Sequence, residues 1–286
     1  MSIILNDEYD KGKADYSCTE LIMSPRRRQL QIRHDDEIVV DARRMLYLVR
    51  GKLTHMILEG GDQINALHEY RSYLILPNGL IVTGKIDRTE ETNIIDWKDT
   101  SVWSFMLGEK YEWDAQCSMY AYLMEQEGFD ILTAEINALL RDWMWRRAKY
   151  DPDYPQSGFV NKQIALWSKE KTLDYMLERC RLHEEAADIP DDALPLCTDL
   201  EMWAKPMSYA VIKSGRSRAD KVAPSKDEAL KWLERKFCVD RKYLKVVAGK
   251  TYRIEERPSE RIRCEEFCFA APFCNQYQEY LLREAS

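Results

Sequence analysis

Apolar residues recur at helical spacing through "DEIVVDARRMLYLVRGKLTHMILEGG" and the run stops at a glycine pair, so the spacing predicts a long helix ending near Glu59. In "RSYLILPNGLIVTGKID" two β-branched and aliphatic runs flank Asn78-Gly79, a dipeptide favoured in tight hairpins, and "TNIIDWKDT" supplies a third strand. "EKYEWDAQCSMYAYLMEQEG" returns to the helical period with Gly128 as its cap, and "FDILTAEINALLRDW" contains another strand. The order helix, three strands, helix, strand is that of an α/β or α+β core, a curved mixed β-sheet flanked by helices. After it, residues 148–158 read as a loop, "KQIALWSKEKTLDYMLERCRLHEEAAD" as a short strand and a long helix, and residues 190–206 as an ordered connector. "SYAVIKSGRSRAD" reads as a strand and "SKDEALKWLERKF" as a capped helix. The expected organisation is a core over residues 1–147 with an N-terminal helical segment. An extension over residues 148–286 completes the domain and carries a cysteine cluster.

Composition narrows the class. With 45% hydrophobic and 32% charged residues over 286 positions, the chain buries a sizeable core and is not a disordered sequence. No apolar run approaches the roughly 20 residues of a membrane span, and "MSIILNDEYDKGK" lacks a secretory leader's apolar stretch and cleavage site, so a cytoplasmic protein is expected. In such a chain the eight cysteines read as buried, metal-binding or catalytic rather than as disulfide partners. The net charge of −7 argues against nonspecific coating of nucleic acid while leaving room for a local basic groove.

The candidate chemistry sits at strand ends. Asp87 closes one expected strand, and Asp96 with Lys98 closes the next. Side chains two apart on a strand share a face, so Asp96 and Lys98 point the same way while Trp97 packs on the other side. Two carboxylates on neighbouring strands repel unless a cation sits between them; a divalent metal does this, with Lys98 placed to hold a water or neutralise a phosphate oxygen. The bland account of the same residues is a solvated hairpin end. His55 and Glu59 lie four apart on the first long helix, and Gln116 and Tyr120 share that spacing on the helix after the third strand.

Taken in order, these residues resemble the PD-(D/E)XK nuclease superfamily in its RecB-like branch, which includes the nuclease domains of bacterial recombination helicases and the CRISPR-adaptation exonucleases. Gly51, His55 and Glu59 match the branch's Gly-x-x-x-His-x-x-x-Glu helix. Gly84 and Asp87 match its Gly-x-x-Asp strand, Asp96 and Lys98 its acid-x-Lys strand, and Gln116 and Tyr120 its Gln-x-x-x-Tyr helix. The resemblance implies a metal-dependent DNA exonuclease of recombination, repair or phage type. Within it His55, Asp87, Asp96 and the Trp97 carbonyl bind Mg²⁺ or Mn²⁺, Lys98 assists the attacking water, and Gln116 and Tyr120 contact DNA near the scissile phosphate. The alternative is a noncatalytic DNA-binding or assembly module that kept the fold; the intact acid, acid, lysine and histidine set favours catalysis.

"RCEEFCFAAPFC" gathers Cys264, Cys268 and Cys274, while Cys117, Cys180 and Cys238 sit singly in or at the ends of helices, where a buried thiol is the plain account. Many RecB-like nucleases, which this arrangement resembles, add one distant cysteine to three C-terminal ones to hold a [4Fe–4S] cluster that staples the tail to the body. The position equivalent to that distant cysteine is here Ser24, in "IMSPRRR". The expected fourth ligand is Cys197 in "LPLCTDLEMW", with Cys18 second, and the three-residue first gap leaves zinc and plain thiols as alternatives. Phosphate contacts are expected from Arg26, Arg27, Arg28 and Arg33, from Arg146 and Arg147, and from Lys213, Arg216, Arg218 and Lys221. Trp103, Phe105 and Trp113 are candidates for base stacking or, more plainly, for the core.

Overall fold

A computed structural model describes residues 11–39, 42–59, 66–106, 111–242 and 251–284, and within 42–59 the side chains of 46 and 49–57. The chain divides into two compact units, one of residues 1–29 and 39–194, the other of residues 30–38 and 195–286. The expected break at 147/148 therefore differs from the observed one. Residues 148–194 belong with the sheet, because they supply its last strand and a helix that packs on its main helix.

In the first unit the short strand β1 (Tyr16–Ser17) leads directly into helix α1 (Cys18–Ile22), followed by the first residues of α2 (Pro25–Arg33), whose part from Leu30 on belongs to the other unit, and by the long α3 (Ala42–Glu59), which ends where the glycine pair predicts. Strands β2 (Ala66–Ile75), β3 (Ile81–Glu90) and β4 (Asn93–Thr100) follow, then α4 (Val102–Met106), α5 (Tyr111–Gln126) and β5 (Thr133–Leu140). Helix α6 (Trp145–Tyr150), strand β6 (Phe159–Ile164) and α7 (Lys169–Ala187) complete the unit. Six strands form one mixed sheet in which β1 runs parallel to β3 and β4 parallel to β5, while the other pairings are antiparallel. Helix α5 is buried over most of its length, with Ala115, Cys117, Met119, Leu123 and Met124 inaccessible, and it packs on the sheet, α1 and α7. Its end is fixed by Gly128, whose φ of +94° turns the chain so that the Phe129 N–H donates back to the Met124 carbonyl at 3.1 Å. Residues 148–150 of the expected loop belong instead to α6, whose six residues are too few to show a period.

Strand β3 has one feature that places chemistry. Strand β2 pairs along one edge of β3 from Ile81 to Glu90. The other edge is shared: β1 takes Val82 and Thr83, and β4 takes Arg88 to Glu90. Residues 84–87 face a break between these two partners, and Gly84 and Asp87 lie in it.

The second unit is built on a three-stranded antiparallel sheet with β8 (Ser208–Lys213) between β9 (Ala219–Ala223) and β10 (Tyr252–Arg257). The single strand expected over 208–220 is thus a hairpin, turning through the polar "SGRSR" segment. Helix α8 (Lys226–Phe237) packs on this sheet and starts at Ser225, whose hydroxyl accepts from the Glu228 N–H at 3.2 Å. The connector and tail meet in a two-strand pairing of β7 (Ala204–Lys205) with β11 (Glu260–Arg261), and the chain closes with α9 (Asn275–Glu284). Among the described residues no helix is long and apolar enough to cross a membrane.

Candidate active site

Where β3 and β4 part, backbone bonding gives way to side chains. The last rung between them is Arg88 with Ile95, so Asp87 and Asp96 face each other one step beyond it. There the Trp97 N–H donates to Asp87 Oδ2 at 2.8 Å. Asp96 is almost wholly buried, with Oδ2 2.6 Å from the Lys98 ammonium. Lys98 Nζ also donates to Gln116 Oε1 at 3.1 Å, and Gln116 Nε2 donates to the Tyr120 hydroxyl at 2.8 Å, so α5 lays a polar relay from its buried face onto the strand end. From α3, His55 Nδ1 stands 3.6 Å from Asp87 Oδ1, its ring edge-on to the buried Trp97 indole at 5.9 Å.

Gly84 makes the relay possible. A Cβ there would stand 2.8 Å from Tyr120 Cδ1 and 3.3 Å from Cys18 Sγ, so only glycine lets the Tyr120 ring lie against β3.

Electrostatics mark the same place. Burial pushes the Asp87 carboxyl up to about 7; the charge of Asp96 adds to this, and Lys98, the Trp97 N–H and Lys85 oppose it. Burial disfavours the Lys98 charge, but Asp96 and Asp87 outweigh it and hold the ammonium above its ordinary value. Burial, with Asp96 next, keeps the Tyr120 phenol far above the usual range and therefore protonated. A carboxylate poised near neutrality beside a fixed ammonium is what a cation site or acid–base centre needs.

Sequence reasoning missed Glu69. One ligand atom each from His55, Glu69 and Asp87 lie within 4.8 Å of one another, a donor set of imidazole and carboxylates that fits a divalent metal. The signal was present: Glu69 and Asp87 are equally far from Asn78, so folding the hairpin there brings them opposite. Glu59 ends α3, and its side chain lies outside the described ones.

In the second unit Cys197, Cys264, Cys268 and Cys274 come together, close enough that the other three thiols, after burial itself, push Cys264 up to about 12. Gln276 fixes the distant member: its Oε1 accepts from the Cys197 N–H at 2.8 Å and its Nε2 donates to the Cys197 carbonyl at 2.9 Å. Arg263 ties the tail to the connector as well, donating to the Glu201 carbonyl at 2.9 Å and stacking on Trp203 at 4.0 Å. Thiols are the soft donors that an iron–sulfur cluster or zinc takes, but among the described residues the ligand atoms within 4.8 Å of one another are those of His55, Glu69 and Asp87, not of these cysteines. Cys18 is elsewhere, buried against Gly84 and Tyr120 in the first unit's core. Ser24 caps α2, its hydroxyl accepting from the Arg27 N–H at 3.2 Å. No disulfide is formed among the described cysteines.

Comparisons with known proteins add little. No family model matches the chain, and no curated protein does. A solved structure described as "Crystal structure of SSO0001" is similar at 15% identity over 62% of this chain and 79% of that one, with a TM-score of 0.41, a likeness that carries no argument.

The expected phosphate contacts fare unevenly. Arg26 is corrected: it is 1% exposed and donates to the Leu194 carbonyl, so it is a packed core arginine. Arg28 is mostly covered, paired with Glu20 at 3.3 Å over the Tyr16 ring. Arg27 is half-buried, and Arg147 lies over the Trp103 and Tyr154 rings and pairs with Asp151 at 3.2 Å. Arg146, Arg216 and Arg218 are exposed, Arg216 with Asp220 at 3.7 Å, and Lys213 is half-buried. Arg33 and Lys221 are exposed too. Trp113 is buried and Phe105 packs on the core, leaving Trp103, half exposed, as the surface ring of the three. Cys238 is an exposed helix cap rather than a buried thiol.

Proposed function

We propose that this chain is a metal-dependent deoxyribonuclease of the PD-(D/E)XK type, acting on linear DNA as an exonuclease. The observation that carries the reading is Lys98, held between Asp96 and Gln116 at a break in the sheet where Asp87 faces Asp96 across the strands and His55 approaches Asp87. Mg²⁺ or Mn²⁺ held by His55 and Asp87, with Asp96 and the Trp97 carbonyl beside them, would supply Lewis acidity and an activated water. The Asp96 charge keeps Lys98 protonated, so its ammonium can orient that water or neutralise a phosphate oxygen as charge builds in the transition state. Gln116 fixes the ammonium by accepting from it, and Tyr120 fixes Gln116. The four tail and connector cysteines would hold a [4Fe–4S] cluster, with zinc as the other occupant their chemistry admits. Exposed Arg146, Arg216 and Arg218 are available for the phosphate backbone.

The test uses purified protein with Mn²⁺ or Mg²⁺ on linear and closed circular DNA. Linear DNA should be degraded and circular DNA spared, with the rate falling at least about 100-fold in Asp96→Asn and Lys98→Ala. Equal degradation by both variants would overturn the reading, and a folded wild type that binds DNA without cutting it would point to the noncatalytic module.

A further inference from the structure

Glu69 is the one non-glycine residue of β2 with a left-handed backbone, at φ +50°. Around it the β2–β3 ladder runs His68 with Arg88 and then Tyr70 with Ile86, so the Glu69–Asp87 step faces across without forming a rung. A left-handed glutamate inside a strand costs on the order of 1 kcal/mol, and directly opposed carboxylates add repulsion. Both costs fall where a second carboxylate is least welcome for stability. Lys85 ion-pairs with Glu69 from a half-exposed position, while Lys98 is committed to Asp96. Beside them Asp96 Oδ2 is buried, and among the described residues no hydrogen bond other than the Lys98 contact reaches it.

We propose that Glu69 is a ligand of the site's cation, so that His55, Glu69 and Asp87 form one cation position and the Asp96–Lys98 pair stands beside it. The inference deepens the metal-dependent reading above and rests on it. Three facts support it: the mutual reach of the three ligand atoms within 4.8 Å, the His55–Asp87 approach of 3.6 Å, and the backbone conformation that turns Glu69 out of the ladder. In the absence of a cation the flexible Lys85 ammonium partly neutralises the carboxylates, and an incoming ion displaces it. One imidazole with two carboxylates favours Mn²⁺ over Mg²⁺, because Mg²⁺ prefers oxygen ligands and gives up its waters reluctantly.

The experiment is Mn²⁺ titration of the whole chain without DNA, followed by calorimetry and by the electron paramagnetic resonance of the free ion. Glu69→Gln should weaken Mn²⁺ binding at least about tenfold. Glu69→Gly, which suits the left-handed backbone and so retains the fold, should do the same. Lys85→Gln should leave binding unchanged or tighten it. Wild-type affinity in both Glu69 variants would overturn the proposal, as would equal weakening by Lys85→Gln, which would make Glu69 merely the partner of that lysine. A protein that binds Mn²⁺ through Glu69 yet leaves DNA intact would sink the nuclease reading alone. One that cuts DNA with unaltered Mn²⁺ affinity in the Glu69 variants would sink only this assignment.

Discussion

The main-chain N–H of Trp97 donates to the carboxylate of Asp87, strand to strand, at 2.8 Å. A ladder hydrogen bond has been exchanged for a side-chain one at the point where β3 and β4 separate. The exchange orients one Asp87 oxygen toward β4 and leaves the other facing His55. The sheet therefore opens at the place where its acids gather, and the consequences of that opening can be measured.

The Lys98–Asp96 pair is structural as well as chemical. Removing the ammonium leaves an almost wholly buried carboxylate uncompensated, so Lys98→Met should cost about 3 kcal/mol of stability. The double variant Asp96→Asn/Lys98→Met should lose much less than the two single losses added together. Denaturant midpoints of the four proteins check this, and additive losses would mean that the pair is not coupled.

Gly84→Ala should destabilise the first unit by roughly 1–3 kcal/mol, because the new methyl collides with the Tyr120 ring. The ring's displacement should also slacken the Gln116–Lys98 contact and lower cleavage. Trimming the ring in Gly84→Ala/Tyr120→Leu should restore part of the stability but not the cleavage. Recovery of neither would place the clash elsewhere.

His183 on α7 is fully buried, and burial, with Arg179 and Arg28 next, lowers its pKa from 6.5 to about 4. The folded state thus binds fewer protons than the unfolded one. The stability this group contributes is complete above pH 6.5 and is lost as pH falls from 6.5 toward 4, by roughly 3 kcal/mol in all. Urea unfolding at pH 7 and pH 4.5 should show this loss in the wild type and a smaller one in His183→Leu.

Anaerobically purified protein is expected to be brown, absorbing near roughly 400 nm. Cys197→Ser should bleach it and lower its melting temperature, because the connector then loses its cluster link to the tail and keeps the Gln276 and Arg263 bonds and the β7–β11 pairing. Cys18→Ser should keep the colour while still lowering the melting temperature, since it buries a hydroxyl in the first unit's core. Bleaching by Cys18→Ser with colour kept in Cys197→Ser would reverse the ligand assignment.

Periodicity, with the turn and cap signals of Asn78-Gly79, Gly128 and the glycine pair after Glu59, located α3, β2 to β5, α5 and α7, because the spacing of apolar residues repeats along each. The set of His55, Asp87, Asp96, Lys98, Gln116 and Tyr120 was legible through its resemblance to an ordered family pattern, each member sitting at a fixed place on a periodic element. What the sequence could not decide was anything set by contact between distant segments. The two residues of β1 and the six of α6 are too few to carry a period. Arg26 looks like a surface cation until the Leu194 carbonyl accepts from it in the core. Cys197 and Cys18 were separable only once Gln276 clamped one beside the tail and Tyr120 covered the other. Glu69 lay between the two cases. Its position opposite Asp87 follows from the hairpin turn, but its left-handed backbone and its approach to His55 arise where a ladder gives way, and strand alternation cannot report a break in itself.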